Sequence, residues 1–235
     1  MPRAPRVAVG GVVYHVLNRA NAGVELFSQA GDYQLFERIL TQAHQRVAMR
    51  TVAYCIMPNH WHLVLWPRRD GELSAFMRWL TLTHTQRRHA AADTAGAGHL
   101  YQGRFKSFPV QSDKHFLTVC RYVERNALRA GLVKQAQQWR WGSLWRREFG
   151  DAEAGALLAD GPVPWPHGWV NLVNGPQTQQ ELEALRRCVV RGRPFGRGGW
   201  VQRTARRLGL LSALRPRGRP PKDATRAARM RRKST

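Results

Sequence analysis

The sequence predicts an α+β fold, a ferredoxin-like βαββαβ plan with an antiparallel sheet, helices on one face, an extra C-terminal helix and a basic arm. Three observations lead there. Strand-length runs rich in Val and Tyr alternate with amphipathic stretches of helix length, in the order strand, helix, strand, strand, helix, strand, helix. Two of the strand-like runs are joined only by the turn formers Pro58-Asn59, which suits an antiparallel pair. The chain has 235 residues and is 43% hydrophobic, enough for one good-sized core or two small ones and too much for a wholly disordered basic protein.

GVVYHVLNR (11–19) reads as the first strand. DYQLFERILTQAHQRVA (32–48) places Leu35, Phe36, Ile39, Leu40, His44 and Val47 at steps of three and four, an amphipathic helix with Asp32 as a cap. MRTVAYCIM (49–57) and HWHLVLWP (60–67) are the two strands of the hairpin. ELSAFMRWLTLTHTQRRHA (72–90) is a second helix carrying Leu73, Phe76, Met77, Leu80 and His84. RFKSFPV (104–110) is a short strand, and DKHFLTVCRYVERNALRAGLV (113–133) a third helix stopped by Gly131. From 134 to 190, Trp139, Trp141, Trp145, Trp165 and Trp169 stand in loose spacing, which reads as irregular structure packed on the body. GGWVQRTARRLGLLSAL (198–214) reads as a short basic helix, and the residues after it, poor in apolar side chains and rich in Pro and Gly, as an extended disordered arm. The expected division is a body at 1–133, a Trp-rich segment at 134–190 and a basic tail at 191–235.

Charge narrows the function classes. Lys plus Arg number 38 and Asp plus Glu 15, a formal net charge of +23. Residues 186–235 hold 17 of the basic and one of the acidic residues, so a fifth of the chain carries more than two thirds of the net charge. Such a surface suits a polyanion, and nucleic acid leads because no run of eighteen apolar residues offers a membrane span. The N-terminal apolar run is short and broken by Gly10-Gly11, a first strand and not a secretion signal. Cys55, Cys120 and Cys188 are odd in number and far apart, as in a reduced cytosolic chain without a disulfide framework.

Two sets of residues have the spacing of a reactive site. His60 and His62 stand two apart on a strand, so both imidazoles leave one face while Trp61 leaves the other, and the pair can grip one ion. Surface or stacked histidines give the same pattern. Tyr122 and Asn126 stand four apart on the third helix and share its face; the competing reading is a core tyrosine beside Phe116 and Val119 with a solvent-exposed Asn. Arg104 and Lys106 flank Phe105 as phosphate contacts or as a solvated strand edge. Arg121, Arg125 and Arg129 form a cationic stripe on the helix of Tyr122, suited to clamping phosphates, and Trp141 or Trp200 could stack on unpaired bases.

MPNHWHLVLWP (57–67) resembles the HUH signature of single-strand tyrosine transposases. HLYQGRFKS (99–107), CRYVERNALRAGLV (120–133), WRWGSLWR (139–146) and RGRPFGRGGWVQRTARRLGLLSALRPRGRPPK (191–222) resemble the further blocks of the REP-associated tyrosine transposases. The resemblance runs from about Tyr14 to Lys222. It implies the ferredoxin-like HUH fold, with His60 and His62 as metal-binding histidines, Tyr122 as nucleophile and Asn126 as third protein ligand. It further implies binding of hairpin-forming palindromic repeats as single strands and cleavage near the hairpin foot, beside a short recognition tetranucleotide.

The reaction so implied is transesterification through a 5′-phosphotyrosine with Mg²⁺ or Mn²⁺. Two imidazoles and an amide carry no charge, so the DNA phosphate should complete the ion's shell. The expected DNA contacts are Arg19, Arg104, Lys106, Arg121, Arg125 and Arg129 on the body. In the tail they are Arg203, Arg206, Arg207, Arg215, Arg217, Arg219 and Lys222. Relatives place more basic residues after the first strand, where this chain has Arg19 alone. The expected partner is single-stranded hairpin DNA, in the cytoplasm on the nucleoid and with no membrane; a monomer is favoured for nicking, and one tyrosine per chain leaves open whether strand transfer needs two chains. Two rivals lack the chemistry: a hairpin-binding architectural or regulatory protein, and an RNA-directed binder with a structural His-x-His metal.

Overall fold

A computed structural model describes residues 8–93, 98–150 and 157–215. The strands β1 (Val13–Arg19), β2 (Met49–Met57), β3 (His60–Pro67) and β4 (Lys106–Val110) form one antiparallel sheet in the order β2-β3-β1-β4. That order is the one a βαββαβ chain reaches when each helix carries it across a neighbouring strand position. The Pro58-Asn59 turn closes the β2–β3 hairpin as expected. β1 lies between β3 and β4 and brings Arg19 opposite His60 and Leu17 opposite His62.

Period-two alternation divides the sheet into two unlike faces. Tyr14, Val16, Tyr54, Ile56, Trp61, Leu63 and Leu65 point to one, where α1 (Ala30–Arg46) and α2 (Glu72–Ala91) cover them with Phe36, Ile39, Leu40, Phe76 and Leu80. These two crossover helices thus share one face, as expected of the plan. The added helix covers the other. Val13, Cys55, Met57, Val64, Phe108 and Val110 meet Phe116, Val119, Cys120 and Val123 there. α1 starts at Ala30, two residues before the expected cap, so Asp32 acts at its third helical position: its Oδ2 accepts from Ser28 N and Oγ at 2.9 and 3.0 Å.

The helix expected over 113–133 is two. α3 (Lys114–Glu124) is capped by the Asp113 carboxylate, which accepts from His115 N at 2.9 Å; α4 (Asn126–Arg129) follows a break at Arg125. Gly131, at φ +72°, ends the run where the sequence placed its stop.

The Trp-rich segment is more regular than its spacing suggested. It holds α5 (Ser143–Phe149), α6 (Trp169–Asn174) and α7 (Gln179–Arg191). A legible start signal for α7 is the capping box Thr178-x-x-Glu181, with Glu181 N donating to Thr178 Oγ1 at 3.2 Å. The basic stretch 198–214 divides into α8 (Gly198–Arg207) and α9 (Leu211–Leu214), because Gly209 turns through a left-handed φ of +65°. Among the described residues, no helix is long and apolar enough to cross a membrane.

Candidate active site

The sheet face under α3 and α4 gathers the reactive residues. His60 and His62 leave β3 toward this face, while Trp61 is fully buried on the other and donates from Nε1 to the Tyr101 hydroxyl at 3.0 Å. The two imidazoles meet edge to face with centroids 4.9 Å apart. Asn59 Oδ1 lies 2.7 Å from His60 Nδ1 and fixes that nitrogen as the donor, so His60 Nε2 is free to act as a lone-pair donor. Across from it, Asn126 Nδ2 stands 3.5 Å from His60 Nε2. Asn126 is buried, against the solvent-exposed alternative.

Tyr122 is buried, with 8% of its surface exposed. Its ring stands edge-on to His62 at 5.9 Å and to His15 at 6.1 Å. The Arg129 guanidinium lies over the ring with its carbon 4.2 Å from the centroid, and Arg129 Nη2 donates to Asn126 Oδ1 at 2.6 Å. Tyr122 and Arg129 stand seven residues apart, two helical turns, so their side chains share a side, and one guanidinium contacts both the Tyr122 ring and the Asn126 amide.

His15 has no role in the sequence reading, yet the structure puts it in the middle of the site. It is fully buried on β1, with Nε2 2.9 Å from His62 Nδ1 and the rings stacked at 5.0 Å. The pairing engages His62 Nδ1 and leaves Nε2 as the nitrogen open toward the site. One signal was available: positions 15, 17 and 19 share a strand face, and a polar residue in the middle of VVYHVL calls for a buried partner.

Burial holds all three imidazoles neutral. His15 is pushed down to about 3 by desolvation and by the Arg129 charge. His60 falls to about 4, through desolvation and then Arg19 and Arg129, and His62 lies well below the usual range for desolvation and the neighbouring histidines. His84, buried against Phe27 and Phe36 with Nδ1 2.7 Å from the Tyr101 hydroxyl, is lowered to about 3, mainly by desolvation. Neutral imidazoles are what metal ligation requires, so acid should not silence the ligands until well below pH 6. The same shifts carry a stability cost. The unfolded chain protonates these histidines near pH 6.5 and the folded chain does not, so stability falls as pH drops from about 6.5 toward 4. The slope is about 1.4 kcal/mol per pH unit for each buried neutral histidine. Urea unfolding at pH 7, 5.5 and 4 should show it; an unfolding midpoint constant across that window would contradict the buried neutral assignment.

Among the described residues, no three His, Cys, Asp or Glu side chains are grouped to hold a metal ion. An ion here would therefore rest on two imidazoles and the Asn126 amide, a donor set that fits Mg²⁺ or Mn²⁺ only with further oxygen ligands. The amide nitrogen now faces His60 and its oxygen faces Arg129, so ligation calls for the amide oxygen to be presented toward His60.

A family model described as IS200-like transposase matches residues 8–126, which are 119 of the 235 residues and include β1, both histidines of His-x-His and Tyr122. The chain belongs to the IS200-like transposase family. Among its relatives, the REP-associated tyrosine transposase of Escherichia coli (strain K12) is 23% identical over 137 residues, covering 58% of this chain and 78% of the relative. A solved structure of a REP-associated tyrosine transposase bound to a REP hairpin aligns with a TM-score of 0.52 at 21% identity. It covers 62% of this chain and 84% of that one, a likeness of fold. The matched family segment ends at Asn126, so α5 to α9 of this transposase lie beyond it.

The basic residues of this transposase separate into groups. Arg19 sits at the end of β1 opposite His60 and is exposed beside the site. Lys106 is exposed at the start of β4; Arg104 precedes that strand in a loop, where alternation on a strand no longer applies, though Phe105 packs inward as expected. Arg203, Arg206, Arg207 and Arg215 are exposed. Arg217, Arg219 and Lys222 lie outside the described residues. Trp141 stacks on Tyr33 at 4.7 Å, so one of its faces is already covered, and Trp200 is half-buried.

The stripe on α3 needs correction. Arg121 donates from Nη2 to the carbonyls of Gly175 and Pro176, each at 2.9 Å, and Arg125 donates from Nη1 to those of Val173, at 3.0 Å, and Asn174. These are the carbonyls at the C-terminal end of α6, where helix geometry leaves acceptors unpaired and favours cations. Arg121 and Arg125 therefore fasten α6 to the helix of Tyr122, while Arg129 alone of the three turns into the site. Replacing Arg121 or Arg125 with Ala should cost about 1–3 kcal/mol of stability and leave the salt dependence of DNA binding near wild type. Paired unfolding and anisotropy titrations test this, and a flattened salt slope with unchanged stability would restore the phosphate-clamp role.

Proposed function

We propose that this transposase-family chain binds, nicks and rejoins single-stranded hairpin DNA through a 5′-phosphotyrosine on Tyr122. The observation that carries the reading is the convergence of Tyr122, His60, His62, Asn126 and Arg129 on one sheet face. The name of the Escherichia coli relative and the REP hairpin in the solved relative supply the substrate class.

The Tyr122 oxygen attacks phosphorus in line; the phosphotyrosine bond forms, the bond to the 3′ oxygen breaks, and the phenolic proton is lost as the departing oxygen gains one. Attack by a 3′-hydroxyl on that linkage reverses the sequence and seals or transfers the strand without an external energy source. Arg129 stands where its charge favours both the developing phenolate beneath it and the negative phosphate. His60, His62 and Asn126 would hold a divalent ion, Mg²⁺ or Mn²⁺, whose chemistry is Lewis-acid stabilisation of charge on the scissile phosphate. The protein brings no carboxylate to this set, so ion and DNA should bind with positive coupling. His15 keeps His62 in one ring orientation from behind. One chain carries the whole set, consistent with nicking by a monomer; the basic tail grips DNA while the body does the chemistry.

The test is a denaturing gel with end-labelled single-stranded hairpins from the host's palindromic repeats, run with Mg²⁺, with Mn²⁺ and with chelator. A metal-dependent protein–DNA adduct that survives denaturation is expected. Tight hairpin binding with neither adduct nor cut product would replace the reading by that of a hairpin-binding regulatory protein.

A further inference from the structure

The C-terminal helices border an open cavity that the cleavage chemistry does not use. The loop after α7 is fixed to the sheet edge: Phe195 N donates to the Pro109 carbonyl at 2.9 Å, and Gln111 N to the Phe195 carbonyl at 2.9 Å. Arg191, at the end of α7, donates from Nε and Nη2 to the Ala213 and Ser212 carbonyls at 3.2 and 3.4 Å, which ties α9 back against α7. Between them lies a cavity of about 570 Å³ whose walls carry Arg186, Arg187, Arg191, Arg193 and Arg215 around the apolar Val190. Among the described residues lining it, none is acidic.

The helix dipole does not account for this concentration. Cations in the last turn of a helix gain only a modest stabilisation at an exposed site, and Arg191 already serves the carbonyls of α9. Arg193 and Arg215 belong to no helix, and Arg186 and Arg187 are exposed on α7. Guanidinium groups gathered around one hollow repel each other unless an anion enters it. In the sequence, Arg217, Arg219 and Lys222 follow directly after Arg215 at the rim.

We propose that this arginine cavity is a second DNA-backbone subsite, separate from the cleavage centre, which grips phosphates of the hairpin-bearing strand. The inference rests on the hairpin-DNA reading above and adds to it where the strand runs. Guanidinium is suited to the task because it offers paired donors to phosphate and stays charged at any physiological pH.

The experiment uses the full chain and the doubly substituted variant Arg187→Gln/Arg193→Gln, with Arg187→Lys/Arg193→Lys as the charge-keeping control. Fluorescence anisotropy of a labelled hairpin with a single-stranded tail is measured from low to high salt, with inorganic phosphate and polyphosphate as competitors. The Gln variant should lose roughly one unit of log–log salt slope per phosphate contact removed and bind about tenfold or more weakly at moderate salt, while the Lys variant retains most of both. Thermal unfolding without DNA should be alike for all three proteins, which separates lost contacts from lost folding. A methylphosphonate placed at successive positions of the strand should weaken wild type at one or two positions and leave the Gln variant indifferent there. If wild type binds the hairpin and forms the adduct but the Gln variant matches it in slope and affinity, the subsite is refuted and the hairpin reading stands. If wild type binds no hairpin, both fall. Competition by polyphosphate as strong as by DNA, with no methylphosphonate-sensitive position, would also refute a strand subsite and indicate a general anion trap.

Discussion

Tyr122→Phe should abolish the denaturation-resistant adduct and all strand cleavage while leaving hairpin affinity within about twofold of wild type. The substitution removes one oxygen and little else. The ring would keep its edge contacts with His62 and His15 and its place under the Arg129 guanidinium. Phosphate contacts supply most of the affinity in complexes of this kind, and none of them is expected from the phenol. Loss of the nucleophile in covalent catalysis leaves no slower version of the same route, so the fall should be limited only by detection, at least about a thousandfold. Adduct yield and anisotropy measured on the same preparations decide the point. Equal losses of affinity and cleavage would remove Tyr122 from the nucleophile's role, and an adduct that persists in the variant would direct the search to another residue.

Glu124→Ala should be among the most destabilising single substitutions in the molecule, at about 3–5 kcal/mol. Glu124 lies two residues after Tyr122 on the buried side of α3 and is 3% exposed. Its Oε1 accepts from Ser143 Oγ at 2.5 Å and pairs with Arg147; its Oε2 accepts from Trp169 Nε1 at 2.7 Å. Arg147 in turn donates to the Val52 carbonyl and lies 4.2 Å over the Trp165 ring. One carboxylate therefore joins α3, β2, α5 and α6. Removing it would leave the Arg147 guanidinium, the Ser143 hydroxyl and the Trp169 indole short of a partner, two of them in the buried interior. Glu124→Gln keeps the shape and some of the hydrogen bonds and should cost less. Urea unfolding of the two variants against wild type measures both, and an Ala variant within about 1 kcal/mol of wild type would show that water replaces the network.

The same network explains why the Trp-rich segment is more regular than its spacing suggests. Its α5 and α6 are short, and their stability comes from contacts made at long sequence distance: Trp139 Nε1 to the Ile56 carbonyl at 2.9 Å, Ser143 and Trp169 to Glu124, and the α6 carbonyls to Arg121 and Arg125. Hydrophobic periodicity reports a face that repeats over several turns, and α6 is too short to display one. The corrected role of Arg121 and Arg125 has the same origin. Spacing of four put three arginines on one helix side, but only the position of α6 decided that two of them cap protein carbonyls.

Local pattern by itself determined the βαββαβ order, the hairpin turn at Pro58-Asn59, the opposite faces of Trp61 and the two histidines, and the concentration of positive charge in the last fifth of the chain. Each follows from steric period or composition, which act over a few neighbouring residues. Only the tertiary structure decided that His15 backs His62, that the Arg129 guanidinium lies over the Tyr122 ring and bonds the Asn126 amide, and that Arg186, Arg187, Arg193 and Arg215 share one cavity. Those arrangements depend on which strand lies beside which and on where helices end against one another, and no spacing along a single segment carries that information.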